Sequence, residues 1–339
     1  AQDTTDDGDV TLPDAVIDGD VDSGNVTDSG LDIDVDASDG GEVTPLRDDG
    51  LPPATPYEIG EEVSDRTTLT ARFQAAGYTP PFGSLLLLGR VIEGAGSPAV
   101  LWYSYQDTAF LYSPNNYWPA STVKLTAAVG ELRTLAAYNL TSQAHVEFTD
   151  DDGYFSGTVH SLVEDAITIS SNTAYNRLME IAGFEAMNEE LLVASDGYPN
   201  MVLQRRYTHP YPGSDLRTSP EIFYTEGSSA GVIPQRYSGL TYPLCSNEAN
   251  CITLYELLDV MRRVTLHDEL PASDRFAAVG NHTGLLLGAL NTAPSALEAG
   301  ASNALGGDVT VYNKTGHVAG DDRLDHGLVI DHLTGERYL

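Results

Sequence analysis

The chain has 339 residues, with 50 acidic against 17 basic side chains and a formal net charge of −33. A field of that sign repels phosphate backbones and anionic lipid, so neither nucleic-acid nor membrane-surface binding is expected. Hydrophobic residues make up 41%, enough for a sizeable core, and the leucine run at 85–88 falls far short of the roughly 20 apolar residues that cross a bilayer.

In chain order, residues 1–50 carry 16 acidic side chains and one basic residue, Arg47, a net −15, and no aromatic residue. Such a segment cannot bury enough apolar surface to offset its ordering entropy, which predicts an acidic, disordered spacer over 1–64 that the prolines 52, 53 and 56 bring to an end. Asp32, Asp34 and Asp36 alternate as in some calcium loops, but Ala37 and Val43 stand where such a loop wants glycine and glutamate. A short helix is expected over 65–76. Residues 83–93 and 99–106 read as strands joined through Gly94, Gly96 and Pro98, and 109–113 as a third. Over 121–138 the period becomes helical, with Leu125, Val129, Leu132 and Leu135 at three- and four-residue spacing.

Further helices are expected at 159–169, 173–181 and 186–194. Residues 195–250, dense in Pro, Gly, Ser and Tyr, read as a long loop. Helix returns at 254–265 and 283–290, and 309–313 and 327–331 read as adjacent strands. The domain organisation expected is a spacer at 1–64, a sheet subdomain from 65–120 and 251–339, and a helical subdomain with a long loop at 121–250. Cys245 and Cys251, with five residues between them, match neither a redox nor a zinc spacing. In an oxidising compartment they close a small loop worth about 2 kcal/mol. With the acidic spacer this points to an exported protein, periplasmic or on the cell surface. No histidine pair has metal-ligand spacing, and no phosphate loop or dinucleotide fingerprint is present. Neither a metal nor a cofactor is expected.

Chemistry-bearing residues concentrate at three places. Ser121-Thr122-Val123-Lys124 opens a predicted helix, and positions i and i+3 share a helical face. A serine hydroxyl is a weak nucleophile until a neighbour accepts its proton. A buried lysine can accept it because burial lowers its pKa, whereas an arginine stays charged. A helix N-terminus adds backbone N–H groups able to hold an oxyanion. Ser170-Ser171-Asn172 lies between two predicted helices, and Lys314-Thr315-Gly316 ends a predicted strand. Each motif alone is weak. The chain, however, has fifteen arginines and only two lysines, Lys124 and Lys314, both inside these motifs.

The order Ser-x-x-Lys, Ser-x-Asn, Lys-Thr-Gly resembles that of the penicillin-recognising serine enzymes, the serine β-lactamases and penicillin-binding D,D-peptidases. Residues 167–176, Ile-Thr-Ile-Ser-Ser-Asn-Thr-Ala-Tyr-Asn, look like the class A β-lactamase version of the second motif. The resemblance covers roughly residues 80–339. It implies an α/β sandwich with an antiparallel sheet, an inserted, mainly helical subdomain, and a site in the cleft between them. It also implies roles residue by residue. Ser121 attacks a carbonyl and becomes acylated; Lys124 takes its proton; Ser170 passes a proton to the leaving nitrogen. Asn172 holds the substrate amide and Lys124, and Lys314 and Thr315 receive a substrate carboxylate. The backbone N–H groups of Ser121 and His317, which follows Gly316, form the oxyanion hole.

The activity implied is serine acyl-enzyme hydrolysis of a β-lactam or related amide. The same scaffold also serves D,D-carboxypeptidases or esterases, and a non-catalytic protein that holds cell-wall peptides is the alternative of another class. The expected partner is a small-molecule or peptide amide bearing a carboxylate, bound by a monomer. Three departures from the family stand out. The Glu-x-x-Leu-Asn segment that activates the deacylating water in class A enzymes is absent. Among the acidic residues of 195–250 (Asp196, Asp215, Glu221, Glu226, Glu248), Glu221, after Pro220, is the expected substitute. His317 and His326 flank the third motif, with Arg323 as a further candidate for the carboxylate. The chain reaches 336–339 at what looks like the start of the family's last strand, so that strand and a C-terminal helix are expected to be missing. Tyr198, Tyr207, Tyr211, Tyr224, Tyr237 and Tyr242 crowd the long loop, and packing of the loop onto the body is preferred over a substrate groove.

Overall fold

The computed structural model describes residues 67–93, 96–105, 119–207, 217–238, 245, 250–317 and 323–339. The predicted spacer and the short strand at 109–113 lie outside them. Strand alternation organises the first part. Strands β1 (Leu86–Ile92) and β2 (Ala99–Tyr105) pair antiparallel from Leu86↔Tyr105 to Ile92↔Ala99. Tyr103 and Tyr105 of β2 cluster with Leu69 and Phe73 of helix α1 (Thr67–Ala75) on one face. Val100 and Trp102 point the other way, and Trp102 meets Tyr255 edge-on at 5.4 Å. A Cβ at Gly89 would lie 2.7 Å from the Trp102 ring, so the ring occupies the space a side chain there would need.

Helix α2 (Lys124–Ala137) follows a 3₁₀ turn at Ala120–Val123. Its predicted apolar stripe is the centre of the core: Leu125, Leu132 and Leu135 are wholly buried and Val129 nearly so. Helices α3 (Val159–Thr168) and α4 (Asn172–Ala182) pack beside it, capped by Thr158 and Ser171. The third expected helix is shorter than predicted. A turn at Phe184–Ala186 runs into a π-helical turn at Met187–Leu191, started by Gly183 at φ +83°. Helix α5 (Leu254–Thr265) matches its predicted span and carries a capping box between Thr253 and Glu256. Helix α6 (Thr283–Thr292) extends the prediction by two residues. Helix α7 (Ala296–Leu305) was not expected, although Ser295 caps Glu298 N–H and Gly306 ends it in the left-handed region, both legible signals.

The part expected to be helix and loop contains a second sheet. Strands β3 (His145–Asp150) and β4 (Gly153–Thr158) form a hairpin. Within 195–250 lie β5 (Arg217–Ser219), β6 (Ile222–Glu226), β7 (Ser229–Ile233) and β8 (Arg236–Ser238). The sheet order is β4-β3-β6-β7, with β5 and β8 paired separately. Its inner side chains, Val146, Phe148, Ile222 and Ile233, are buried, while Glu147, Thr149 and Phe223 face out.

The main sheet closes with β9 (Val309–His317), β10 (Arg323–Asp331) and β11 (Arg337–Tyr338), in the order β2-β1-β11-β10-β9, antiparallel throughout. Both β9 and β10 run several residues beyond their predicted spans, because polar side chains interrupt the apolar pattern where Lys314 pairs with His326. The strand that begins at 337 is in place between β1 and β10, and Gly89 and Leu339 exchange backbone hydrogen bonds of 2.8 and 2.7 Å. Helices α5, α6 and α7 pack on this sheet. The fold is therefore mixed α/β around a five-stranded antiparallel sheet. Cys245 and Cys251 are joined, with Cα atoms 5.9 Å apart, and among the described residues no helix is long and apolar enough to cross a membrane.

One core position opposes its surroundings. Glu131 on α2 is wholly buried, and neither carboxyl oxygen has a hydrogen-bond partner. Burial pushes its pKa well above the ordinary carboxylate value, so the folded state keeps the proton that the unfolded chain releases. The stability contribution of this proton is full below the ordinary carboxylate pKa and is lost as pH rises. Glu131→Gln is expected to be more stable than the parent at pH 8 by about 1–3 kcal/mol, with the gap closing near pH 4, as read from thermal unfolding across that range.

Candidate active site

The 3₁₀ turn at Ala120–Val123 delivers Ser121 and Lys124 to one place. Ala120 enters it at φ +46°, in the left-handed region that costs a non-glycine residue about 1–3 kcal/mol unless its surroundings enforce it. Thr122 N–H donates to the Pro119 carbonyl at 3.1 Å and its hydroxyl donates to the same oxygen, which tightens the turn. Strand β9 crosses close over this turn. A Cβ at Gly316 would lie 3.0 Å from Thr122 Cγ2 and 3.2 Å from both Ala120 Cβ and the Pro119 carbonyl. The glycine of the third motif is thus explained by close approach to the first.

The corner between α3 and α4 supplies the second motif. After α3 ends, Ser170 takes a left-handed conformation, φ +59°, and Ser171 N–H donates to Asp165 O at 3.0 Å. Ser171 then caps α4 by accepting Ala174 N–H at 3.1 Å. Lys124 Nζ donates to the Ser170 carbonyl, to Asn172 Oδ1 at 2.8 Å and to Ser170 Oγ at 3.3 Å. Lys314 Nζ donates to the same Ser170 Oγ at 2.9 Å and to Thr315 O at 2.7 Å. Both lysines are wholly buried, whereas Ser121 is partly exposed. Two amines thus meet at one hydroxyl next to an accessible serine.

Burial, then the neighbouring charge of Lys314, pushes the Lys124 pKa down to about 6. Burial pushes Lys314 down to about 8, opposed by Asp325. Among the described residues, no carboxylate contributes to the Lys124 balance. At neutral pH the pair is one free amine and one ammonium: a base and a cation.

The remaining predicted residues fall into two groups. His317 is exposed at the end of β9 and pairs with Arg323, the first residue of β10, whose side chain lies outside the described residues. His326, expected to face a substrate carboxylate, is buried instead. Its Nδ1 meets the Lys314 carbonyl at 2.9 Å, and burial lowers its pKa to about 3, so it is a neutral prop for the strand rather than a cation. Glu221, expected as a deacylating base, is exposed in the connection just before β6 of the second sheet. It lines a surface depression of about 460 Å³ with Glu147, Tyr154 and Phe223, which contains no motif residue. Glu226 accepts the Thr141 N–H at 2.8 Å, away from the motifs. Asp215 and Glu248 lie outside the described residues. Among the described residues, no group of three or more His, Cys, Asp or Glu is placed to hold a metal ion.

Of the described loop tyrosines, some pack onto the body and one does not. Tyr198 is buried and donates to Asp259 Oδ2 at 2.9 Å, Tyr224 meets Tyr138 edge-on, and Tyr237 is exposed; Tyr211 and Tyr242 lie outside the described residues. Tyr207 stands apart. Its hydroxyl donates to the Ala120 carbonyl, its ring stacks on Tyr175 at 4.6 Å, and Lys124 Nζ lies 5.7 Å from the ring centre. Asn250 donates to it at 3.1 Å. Sequence reasoning named Tyr207 only among the crowd and missed Asn250, since nothing local marks a contact across 87 residues.

A model of the beta-lactamase enzyme family matches residues 93–338. The chain belongs to that family. Similar solved structures include a class A beta-lactamase from Bacteroides cellulosilyticus, 14% identical, covering 83% of this chain and 87% of that one at a TM-score of 0.47. Another is a beta-lactamase from Sphaerobacter thermophilus, at 16% identity, 80% and 86% coverage and a TM-score of 0.49. A third is a class A beta-lactamase from Mycobacterium abscessus, at 15%, 83% and 87%, and 0.44. No curated protein matches the chain.

Because the family member at hand has only two lysines, their titrations can be read directly. NMR of protein labelled with ¹³C,¹⁵N-lysine is expected to show two transitions, near pH 6 and near pH 8, and none near 10.5. Lys314→Met should move the lower transition upward, since it removes the neighbouring positive charge. A pair of transitions near 10 would contradict the buried arrangement.

Proposed function

We propose that the chain is a serine hydrolase working through an acyl-enzyme on a β-lactam or related amide that carries a carboxylate. The observation that supports this most is the meeting of Lys124 and Lys314 at Ser170 Oγ beside Ser121. Ser121 Oγ attacks the carbonyl carbon while its proton passes to the free amine of Lys124, directly or through a water. Negative charge develops on the former carbonyl oxygen and is received by the backbone N–H groups of Ser121 and His317. Collapse breaks the C–N bond, and the leaving nitrogen takes a proton delivered through Ser170. The ammonium of Lys314 attracts the substrate carboxylate, with Thr315 beside it, and Asn172 holds both Lys124 and the substrate's side-chain amide. Water then cleaves the acyl ester. The match of residues 93–338 to the beta-lactamase enzyme family favours the β-lactam substrate.

A second reading has a specific observation behind it. Among the described residues no carboxylate contributes to the Lys124 balance, and Glu221 precedes β6 of the other sheet. An acyl-enzyme without a positioned carboxylate base deacylates slowly, which favours a D,D-carboxypeptidase or esterase that penicillins acylate and stall. The disulfide fits an exported protein, periplasmic or at the cell surface.

Intact-protein mass spectrometry after addition of a penicillin tests both readings. The expected result is an adduct of the drug's mass on the parent protein and none on Ser121→Ala. Decay of the adduct with release of hydrolysed drug supports the β-lactamase reading, and a lasting adduct supports the peptidase one. Absence of any adduct sinks the acyl-enzyme. The acylation rate should rise with pH as Lys124 loses its proton near 6, then fall as Lys314 loses its charge near 8. A profile flat from pH 5 to 9 would remove both lysines from the chemistry.

A further inference from the structure

We infer that Tyr207 positions the oxyanion-binding N–H of Ser121, and that Asn250 aims Tyr207 for this task; the inference rests on the reading of Ser121 as the nucleophile. The peptide between Ala120 and Ser121 is one rigid plane, with its C=O and N–H pointing in opposite directions. Whatever fixes the Ala120 carbonyl therefore fixes the Ser121 N–H. The group that holds this carbonyl is the Tyr207 hydroxyl. The peptide needs such a hold, because Ala120 sits at φ +46°, a conformation alanine rarely takes unaided.

The hydroxyl in turn is given its direction. Asn250 Oδ1 accepts the N–H groups of Gln204 and Arg205, both at 2.9 Å, which settles which end of the amide is oxygen. Its Nδ2 then donates to Tyr175 OH at 2.9 Å and to Tyr207 OH at 3.1 Å. With its oxygen accepting from Asn250, the Tyr207 hydroxyl has its hydrogen free for Ala120. Asn250 is itself anchored. Its neighbour Cys251 exchanges backbone hydrogen bonds with Val202, both 2.8 Å, and is joined to Cys245. The segment carrying Tyr207 is held from the other side too. Asn176 Oδ1 accepts the Tyr207 N–H at 2.9 Å, and the wholly buried Arg206 pairs with Glu180 at 3.0 Å. Burial keeps the Tyr207 hydroxyl protonated over the working range. The Tyr207 hydroxyl meets the Ala120 carbonyl and Asn250 rather than the proposed nucleophile or its base, so it acts through the peptide it holds and is a positioning residue. The disulfide-anchored segment is thereby part of the same relay, although it lies 124 or more residues beyond the nucleophile in sequence.

Tyr207→Phe removes one oxygen and keeps the ring on Tyr175. Stopped-flow labelling with a fluorescent penicillin, over a range of concentrations, separates the dissociation constant of the initial complex from the acylation rate constant. The expected outcome is a 10- to 100-fold fall in the rate constant, with the dissociation constant within about threefold and the rise near pH 6 unmoved. Asn250→Ala is expected to lower the same rate constant. If that variant does not fold, Tyr207→Phe alone decides. A Tyr207→Phe protein that folds and acylates at the parent rate overturns the positioning role while leaving Ser121 as nucleophile. Parallel losses in initial binding and melting temperature, with the rate constant kept, overturn it in favour of plain packing. A parent protein that is never labelled overturns the nucleophile itself, and the positioning role with it.

Discussion

Everything in the cleft depends on two buried amines sharing one hydroxyl. Lys124 and Lys314 approach Ser170 Oγ to 3.3 and 2.9 Å. Charging both at once would set like charges side by side in a poorly solvated place, so the pair gives up protons early. The rest of the molecule is arranged to bring these amines together. One rides on a helix from the middle of the chain, the other on a strand near its end, and the hydroxyl projects from a corner between two further helices. The acidic exterior adds to the effect. For the anionic substrate proposed above, the field would be repulsive until the Lys314 ammonium is reached, so the attraction would be local and depend on a close fit.

The geometry is held by elements that local rules disfavour. Ala120 and Ser170, neither of them glycine, both adopt left-handed backbone, and each presents a group that a regular helix would keep. Ala120 turns its carbonyl to Tyr207, and Ser170 turns its carbonyl to Lys124. Such conformations persist only where contacts on several sides over-determine them. Gly316 supplies one of those sides by letting β9 lie against the turn, and the Asn250–Tyr207 relay supplies another.

How much of this was legible in the sequence differs from element to element. The apolar stripe of α2, the span of α5 and the pairing of β1 with β2 follow from periodicity and capping, and they stand as read. The three motifs, legible as short chemical patterns and a count of two lysines, are brought together by the structure at Ser170 Oγ. The second sheet was overlooked despite fair signals. Val146 and Phe148 alternate with polar residues, and Asp152-Gly153 and Glu226-Gly227 mark tight turns, but the surrounding richness in glycine and serine drew the reading toward loop. The role expected for His326 failed for another reason. A strand-end histidine looks solvent-facing in a sequence, and only the register opposite Lys314 reveals that it is covered. Glu221 is set apart for a related reason, as it lies immediately before β6, a strand of a sheet whose existence had not been read. Tyr207 and Asn250 carry no local signature, because their meaning arises only where distant segments touch.

The order of strands in the main sheet has a kinetic consequence. Strands β1 and β2 pair early in the chain and β9 and β10 pair late, and among the described residues β11 joins the halves. The Arg90–Glu336 pair across that seam spans 246 residues. Contacts so distant in sequence repay their loop-closure entropy last, so the two hairpins form long before the sheet does. Until β11 settles, the inner edges of β1 and β10 are bare and able to recruit strands from other chains. Assembly of this protein is therefore most open to error where β11 enters between β1 and β10, and dilution or a holding chaperone would aid its refolding more than any change around the two lysines.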